Sequence, residues 1–171
     1  MGFFYLDSSV VVKRYVDEPG SAWTRLLITE RANTAILSEI AIVEVSAALA
    51  MSVRTGKVRK ALGRAAYEAF HADIAAGVYQ LLAVARPTID EAADLAQVHP
   101  LKGYDALHVA TGLQAARDLA DQEIALVFVS GDDQMLRAAE AEGLLTDNPF
   151  WHVDMNRAEE EAEKGSIGRV I

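Results

Sequence analysis

The sequence predicts an α/β fold with a mainly parallel sheet, and three observations indicate that class. Short apolar runs alternate with longer helical patterns along the chain, as they do in βαβ units. The run Ile124–Val129 is too apolar to have one face in water, which is typical of a central strand covered on both sides. No repeat, low-complexity tract or Pro/Gly-rich linker divides the 171 residues, which suit a single domain with one core.

The amino-terminal half predicts two strands and four helices. Ser8 and Ser9 follow the first apolar run and are candidate caps for the first helix. That helix is expected to end before the Pro19-Gly20 pair. In chain order the predictions are a strand at 3–6, helices at 10–16 and 21–31, a strand at 34–37, and helices at 38–54 and 57–76.

The carboxyl-terminal half predicts further strands and helices. Segment 78–84 is predicted to be either a short strand or a helix end, and its periodicity does not distinguish the two. Thr88 and Glu91 have the spacing of a capping box after Pro87, in which Thr88 would accept from the Glu91 amide. The remaining predictions are a helix to about 98, a loop at 99–103, a helix at 105–118, a strand at 124–129, a helix at 133–142 and an edge strand at 144–146.

Composition excludes several classes of protein. With 51% hydrophobic and 24% charged residues the chain is globular rather than disordered. The absence of cysteine excludes a disulfide scaffold and a thiolate zinc site. The start lacks the basic region of a signal peptide, and no apolar stretch approaches the roughly 20 residues of a membrane helix. We therefore expect a cytoplasmic protein without a membrane span.

Positive charge is concentrated in one part of the chain. The net charge is -9, which argues against a strongly basic nucleic-acid coat. Residues 45–67, however, contain no acid. This stretch is either a solvated helix face or a phosphate-binding stripe, and charge alone does not choose between the two. Its bases are Arg54, Lys57, Arg59, Lys60 and Arg64.

Four carboxylates stand at related places. Asp7 directly follows the first predicted strand, and Asp132 lies three residues beyond the last clear one. Glu44 lies within an apolar helix, and Asp105 opens a nearly uncharged one. Ligands of parallel sheets bind beyond the carboxyl ends of the strands, so these acids are candidates for a site. Structural roles remain open: Asp7 and Asp105 are possible helix caps, and Asp132 is a possible turn residue with Asp133 as the cap.

Glu44 is the acid that a purely structural role explains least well. It either lies on a polar stripe with Ser38 and Met51, or it must be paired, protonated or metal-bound, because burying a lone charge costs several kcal/mol. Convergence of the four acids would raise their pKa values unless a cation lay among them. Oxygen ligands favour Mg²⁺ or Mn²⁺ over zinc, and such ions activate water against phosphodiesters.

At these residues the sequence resembles PIN domains, and most of all the VapC-type toxins of bacterial and archaeal toxin–antitoxin systems. Four acidic motifs match in order and spacing over about residues 3–145: Tyr5–Lys13, Val43–Leu49, Tyr104–Thr111 and Val129–Asp132. The resemblance implies a three-layer α/β/α sandwich, which we place at residues 1–148, with a partly flexible carboxyl-terminal extension at 149–171. It also implies Mg²⁺- or Mn²⁺-dependent RNA cleavage, a homodimer and a cognate antitoxin that covers the active site.

Carried over to this chain, the resemblance assigns roles to single residues. Asp7 and Asp132 would be direct metal ligands, while Glu44 and Asp105 would hold the ion or position its water; together these four form the catalytic centre. Asp132 is preferred over the adjacent Asp133. Residues expected to support the site are Ser9, Ser130 and His108.

Two other functions remain open besides a ribonuclease. An aspartyl phosphatase would use Asp7 as its nucleophile, but Ser9 stands where that chemistry typically places a second acid. A non-catalytic PIN-like interaction module would show no coupled metal binding. The sequence contains no Gly-rich phosphate-binding loop, so nucleotide hydrolysis of the P-loop type has no support. For the ribonuclease, the side chains expected to position the RNA backbone are Lys13, Arg14, Arg54, Lys57, Arg59 and Lys60.

Overall fold

A computed structural model describes residues 2–153 and places five parallel strands in one sheet. The sheet order is β3-β2-β1-β4-β5, and every neighbouring pair is parallel. From β1 the chain builds outward to β3 and then returns to the other side of β1. The order therefore reverses between β1 and β4, which is where ligands bind in open parallel sheets. The strands are β1 Gly2–Leu6, β2 Asn33–Ser38, β3 Tyr79–Leu82, β4 Leu126–Val129 and β5 Leu145–Asp147.

Helices connect these strands at the predicted places, with ends that differ by a few residues. They are α1 Ser8–Tyr15, α2 Ser21–Thr29, α3 Ile40–Arg54, α4 Lys60–Ala75, α5 Arg86–Val98, α6 Gly103–Ala120 and α7 Asp133–Ala141, followed by a 3₁₀ turn at Pro149–His152. Segment 78–84 resolves as strand β3, and Ser38 ends β2 rather than opening α3. Within residues 2–153 no helix has the length and apolarity needed to cross a bilayer.

Side chains on the two faces of the sheet pack into two separate cores. Leu6 and Val129 face helices α1 to α4, whereas their neighbours Tyr5 and Phe128 face α5 to α7. This alternation is the two-residue period of a β-strand with both faces buried. The observed architecture is thus the predicted three-layer α/β/α sandwich with a parallel central sheet.

The predicted capping box at the start of α5 is wrong. The helix begins at Arg86, with Pro87 in its first turn, so Thr88 lies inside the helix. The Thr88 hydroxyl donates to Gln114 Oε1 on α6 at 2.7 Å and does not cap the Glu91 amide. Thr88 and Glu91 have the spacing of a capping box, but proline is favoured in the first turn of a helix, so the helix begins before Thr88. The Thr88 hydroxyl instead binds a residue of another helix.

The carboxyl-terminal turn packs on α2. Pro149 lies against Gly20, and the His152 ring stacks on Trp23 with a centroid separation of 4.3 Å and an angle of 3° between the ring planes. Asn148, just before the turn, is buried and accepts from the Phe150 amide at 3.0 Å. The rest of the predicted extension, residues 154–171, lies outside the described residues, and its role stays a prediction.

Close contact between α6 and β4 depends on Gly112. A Cβ at this position would lie 2.7 Å from Phe128 Cδ2. The Phe128 ring is fully buried and stacks on Tyr5 with centroids 5.2 Å apart, so it has little room to move. Gly112 therefore sets how closely α6, which carries Asp105 and His108, approaches the sheet.

Replacing Gly112→Ala should lower the free energy of unfolding by about 1–3 kcal/mol, as overpacking does in other cores, despite the better helix propensity of alanine. Urea denaturation monitored by circular dichroism measures this change. Gly103→Ala is the matched control, because a Cβ at the first residue of the same helix meets nothing within 4 Å. Equal stability of the two variants would contradict the packing role of Gly112.

Candidate active site

Asp7 lies at the carboxyl end of β1, beside β4. Its backbone amide donates to the Val129 carbonyl at 3.1 Å, which extends the parallel pairing to this residue. Its side chain caps α1 by accepting from the Val10 amide at 3.0 Å, so Ser8 and Ser9 lie in the first turn of the helix and do not cap it. Only 5% of Asp7 is exposed. The structure therefore combines the predicted cap with a carboxylate buried at the reversal point of the sheet.

Two serine hydroxyls hold the Asp7 carboxylate. Ser9 Oγ donates to Asp7 Oδ1 at 2.8 Å, and Ser130 Oγ donates to Asp7 Oδ2 at 2.9 Å. The same hydroxyls accept backbone amides of the loop after β4: Gly131 at 3.2 Å and Asp132 at 3.0 Å. Both predicted supporting serines thus contact Asp7 and join it to the loop that carries Asp132.

The environment of Asp7 disfavours its charged form. Burial raises the pKa of the Asp7 carboxyl, while the charge of His108 and the hydrogen bonds from Ser9, Val10 and Ser130 offset this only in part. A cation next to the carboxylate would reverse the effect of burial. The electrostatic environment of Asp7 is therefore suited to a carboxylate that binds a cation.

Glu44 belongs to a second polar cluster. Its Oε2 accepts from Ser8 Oγ at 2.7 Å and from His108 Nε2 at 2.6 Å, and His108 Nδ1 lies 2.8 Å from Tyr5 Oη. A carboxylate only accepts, so Nε2 carries a proton. Burial raises the pKa of Tyr5, which therefore keeps its proton. His108 thereby fixes the orientation of Glu44.

The pKa of Glu44 shifts opposite to that of Asp7. Burial alone would raise the pKa of this carboxyl, but the hydrogen bond and charge of His108, with the Ser8 hydroxyl, outweigh burial and lower it. The alternative of a polar stripe shared with Ser38 and Met51 is wrong, because Ser38 is the fully buried last residue of β2. Glu44 is an ionised, paired carboxylate.

Asp105 and Asp132 both stabilise helix starts. Asp105 Oδ2 accepts from the Lys102 amide at 3.1 Å, and Asp132 Oδ1 accepts from the Gln134 amide at 2.7 Å. The cap of α7 is therefore Asp132, not Asp133, which is the first residue of the helix. Capping engages one oxygen of each carboxylate.

Three of the four predicted acids line two clefts rather than one. The first, here named the Glu44 cleft, has a volume of about 750 Å³ and contains Glu44, Asp105 and apolar side chains of α5 and α6. The second, the Asp132 cleft, has about 590 Å³ and contains Asp132, Asp133 and Ser9. Asp7 lines neither, but Ser9 connects it to the Asp132 cleft, and the adjacent Ser8 reaches Glu44.

This arrangement suits a divalent cation in its donor chemistry but is not a closed cage. Among residues 2–153, no group of three or more Asp, Glu, His or Cys side chains is close enough to hold a metal ion. Mg²⁺ often binds through only one or two carboxylates and completes its shell with water and substrate phosphate. Asp7, with Asp132 linked to it through Ser130, provides carboxylates of this kind.

Three of the predicted RNA-binding bases already have acidic partners. Lys13 is 3% exposed and donates to Glu18 Oε1 at 2.9 Å, while Lys57 donates to Glu18 Oε2 at 2.7 Å. Arg14 pairs with Asp73 at 2.8 Å. Lys13 and Lys57 line the Asp132 cleft.

The other three predicted bases are exposed. Arg54, Arg59 and Lys60 lie at the end of α3 and the start of α4, and none forms an ion pair within residues 2–153. They are therefore the members of the stripe with charge available to a phosphate backbone.

Four residues around the site were not predicted from the sequence: Tyr5, Ser8, Glu18 and Phe150. Ser8 had one available signal, since its hydroxyl is adjacent to Asp7. Tyr5 and Phe150 have the pattern of ordinary core and tail aromatics, and Glu18 follows the predicted end of the first helix. Apart from Lys13, which is five residues before Glu18, their partners lie far away in sequence, and no local pattern identifies them.

The fold and the site together define a class of protein: a parallel α/β domain with acidic side chains at the reversal point of its sheet. The PIN domain family model matches residues 4–141. The chain therefore belongs to the PIN domain family, as its four acidic motifs predicted. PIN domains are generally nucleases.

Several solved structures share the fold of this chain. FitAcB from Neisseria gonorrhoeae is 19% identical with a TM-score of 0.61, and the match covers 87% of this chain and 99% of that one. PAE2754 from Pyrobaculum aerophilum is 18% identical with a TM-score of 0.55, covering 85% and 83%. VapBC2 from Rickettsia felis, in complex with a promoter DNA fragment, is 14% identical with a TM-score of 0.53, covering 85% and 98%. A search of curated proteins found no match.

Replacing His108→Ala should raise the pKa of Glu44, because its main compensating donor is lost. Carbon-13 NMR titration of the Glu44 carboxyl measures this shift. A lowered pKa stabilises the fold above the ordinary value of 4.5 and loses that contribution as the pH falls below it. The stability difference between wild type and variant should therefore shrink on acidification.

His99→Ala is the control for the His108 variant. It removes the partner of Glu142, 2.7 Å away, and should leave the Glu44 titration unchanged. A Glu44 pKa that stays the same in His108→Ala would show that histidine does not hold this carboxylate.

Proposed function

We propose that this PIN domain is a metal-dependent endoribonuclease that acts as the toxin of a toxin–antitoxin module. The observation that carries the proposal is the carboxylate of Asp7, buried at the reversal point of the sheet and joined through serine hydroxyls to the loop of Asp132. Burial raises the pKa of this carboxyl, and a neighbouring cation would offset that effect. The names of two structural neighbours, FitAcB and VapBC2, support the toxin assignment.

In this proposal Asp7 and Asp132 hold Mg²⁺ or Mn²⁺, and Glu44 and Asp105 hold the ion or position its water. When bound, the ion polarises the phosphodiester and lowers the pKa of a coordinated water. Hydroxyl groups of Ser9 and Ser130 keep both Asp7 oxygens in place for this task.

His108 has a positioning role in the same proposal. It holds Glu44 through Nε2 while Tyr5 fixes the ring from the opposite nitrogen. Fixing the ring orientation keeps Glu44 in one place, which preorganises the site without any contact to substrate.

Exposed Arg54, Arg59 and Lys60 position the RNA backbone, because phosphate contacts fix register without reading sequence. The proposal further includes a cognate antitoxin that covers the site, a homodimer and a cytoplasmic location. Exposed apolar side chains at the Glu44 cleft, including Ile89 and Tyr104, provide surface for such protein contacts.

A non-catalytic PIN-like module is the second candidate. The observation in its favour is the lack of a three-carboxylate cluster within residues 2–153. An aspartyl phosphatase has less support, since the Ser9 hydroxyl is donated to Asp7 and no acid stands in its place.

Replacing Asp7→Asn should abolish Mn²⁺-dependent cleavage of single-stranded RNA while the fold stays intact. Asparagine is an equally good helix cap, so α1 keeps its first turn. The amide keeps one acceptor oxygen and so loses the hydrogen bond from one of the two serines, and thermal unfolding at pH 7 checks that the variant is still folded. Gel electrophoresis of labelled RNA measures cleavage.

Asp118→Asn is the matched control, because this acid is exposed on α6 and should leave cleavage unchanged. Undiminished cleavage by Asp7→Asn would refute the assignment of Asp7. A wild-type protein that neither binds Mn²⁺ nor cuts RNA would favour the interaction module.

The double replacement Arg59→Gln and Lys60→Gln should weaken RNA binding and flatten its salt dependence. Each phosphate contact on a single strand contributes about 0.7 to the slope of log K against log salt, so the slope should fall by about 1.4. Fluorescence anisotropy without divalent ions measures it. Arg86→Gln with Arg117→Gln removes the same charge from α5 and α6, and an equal loss there would show that only net charge matters.

A further inference from the structure

Two lysine side chains converge on one carboxylate in the Asp132 cleft. Lys13 Nζ donates to Glu18 Oε1 at 2.9 Å, and Lys57 Nζ donates to Glu18 Oε2 at 2.7 Å. We propose that Glu18 occupies the place of a backbone phosphate and masks a lysine pair, which binds a nucleic-acid strand when the carboxylate is displaced. This inference rests on the proposed nuclease function and describes regulation of the same site.

The location of the pair ties it to the acidic site. Lys13, Lys57 and Glu18 line the Asp132 cleft together with Ser9 and Asp132. Ser9 is the residue that holds Asp7, so the lysines lie in the cleft that connects to the buried carboxylate. The cleft volume of about 590 Å³ is within the range of roughly 300–1,000 Å³ typical of small-ligand sites.

Lys13 is built into this cleft rather than free on the surface. Only 3% of the residue is exposed, which is rare for a lysine. Its ammonium lies 4.2 Å from the centre of the Phe150 ring, a cation–π contact, and Glu18 supplies the charge partner. Phe150 of the carboxyl-terminal turn thus contacts the Lys13 ammonium on one side and helps to fix its position.

A phosphodiester group presents a pair of anionic oxygens, as this carboxylate does. Both groups offer two anionic oxygens, and each ammonium has three donors, of which the carboxylate engages one at each lysine. Burial raises the pKa of Glu18, but the two lysines outweigh that effect and lower it, so the carboxylate is charged at neutral pH. An anion already occupies the pair in the absence of substrate.

Charge in the cleft explains why masking would affect binding. Glu18, Asp132 and Asp133 carry three negative charges there against the two positive charges of the lysines. A phosphate therefore approaches a net negative surface until Glu18 moves. Glu18 lies in the loop between α1 and α2, and Lys57 is 56% exposed, so both side chains have access to solvent when they separate.

Glu18→Gln should bind a short single-stranded RNA more tightly than wild type in EDTA, where no cleavage occurs. The slope of log K against log salt should steepen by about 1.4, because two lysines become available to phosphate. Glu91→Gln is the matched control: it removes the same charge and releases Arg117, whose guanidinium lies 2.7 Å from Glu91, on the other side of the sheet. Fluorescence anisotropy measures all three proteins.

Lys57→Met makes the test specific. Masking predicts that this change weakens RNA binding more in the Glu18→Gln background than in wild type, because Glu18 already occupies Lys57 in the wild type. Equal effects in both backgrounds, or a Glu18→Gln protein that binds no better than Glu91→Gln, would overturn the inference. Inorganic phosphate that competes as well as RNA of equal phosphate concentration would assign the pair to a free anion and overturn it too.

One measurement needs no variant. The carbon-13 signal of the Glu18 carboxyl should shift when wild-type protein is saturated with RNA in EDTA, and bound RNA without that shift would overturn masking. Failure of the nuclease proposal would look different. If RNA binding depends on the lysines but Mn²⁺ supports no cleavage, the masking proposal holds and the nuclease proposal fails. If the protein cleaves RNA but Glu18→Gln does not strengthen binding, the nuclease proposal holds and the masking proposal fails.

Discussion

The structure depends on a carboxylate buried at the carboxyl end of its central strand. Asp7 is covered by the sheet and α1, where a lone charge is costly, yet three donors from two segments satisfy it. These donors bring the loop after β4 onto the first turn of α1. The same contacts that stabilise the buried charge therefore close the reversal point of the sheet and position Asp132.

Helix α1 distributes the polar chemistry of the site to two sides. Ser8 and Ser9 are consecutive, so their side chains leave the helix in directions about 100° apart. One hydroxyl reaches Glu44 and its histidine, while the other holds Asp7 and the Gly131 amide. A single helical turn thus connects the two clefts, and a shift of α1 would disturb both carboxylates together.

Charge pairing divides the basic residues into two groups with different capacities. Lys13 and Arg14 are engaged by acids and shielded from solvent, so they contribute to packing and to the walls of clefts. Arg59 and Lys60 remain in water, where their charge is available at long range. An acidic protein can in this way present local positive charge to nucleic acid while most of its surface repels it.

The sequence alone determined the α/β class, the parallel sheet and the placement of Asp7, Asp105 and Asp132 at strand ends and helix starts, because local periodicity and helix capping are short-range effects. Only the tertiary structure decided which hydroxyl serves which acid. Ser8 and Glu44 are 36 residues apart, and Ser130 and Asp7 are 123 apart. Such pairs form when packing brings distant segments together, and no pattern along the chain records which donor lies nearest.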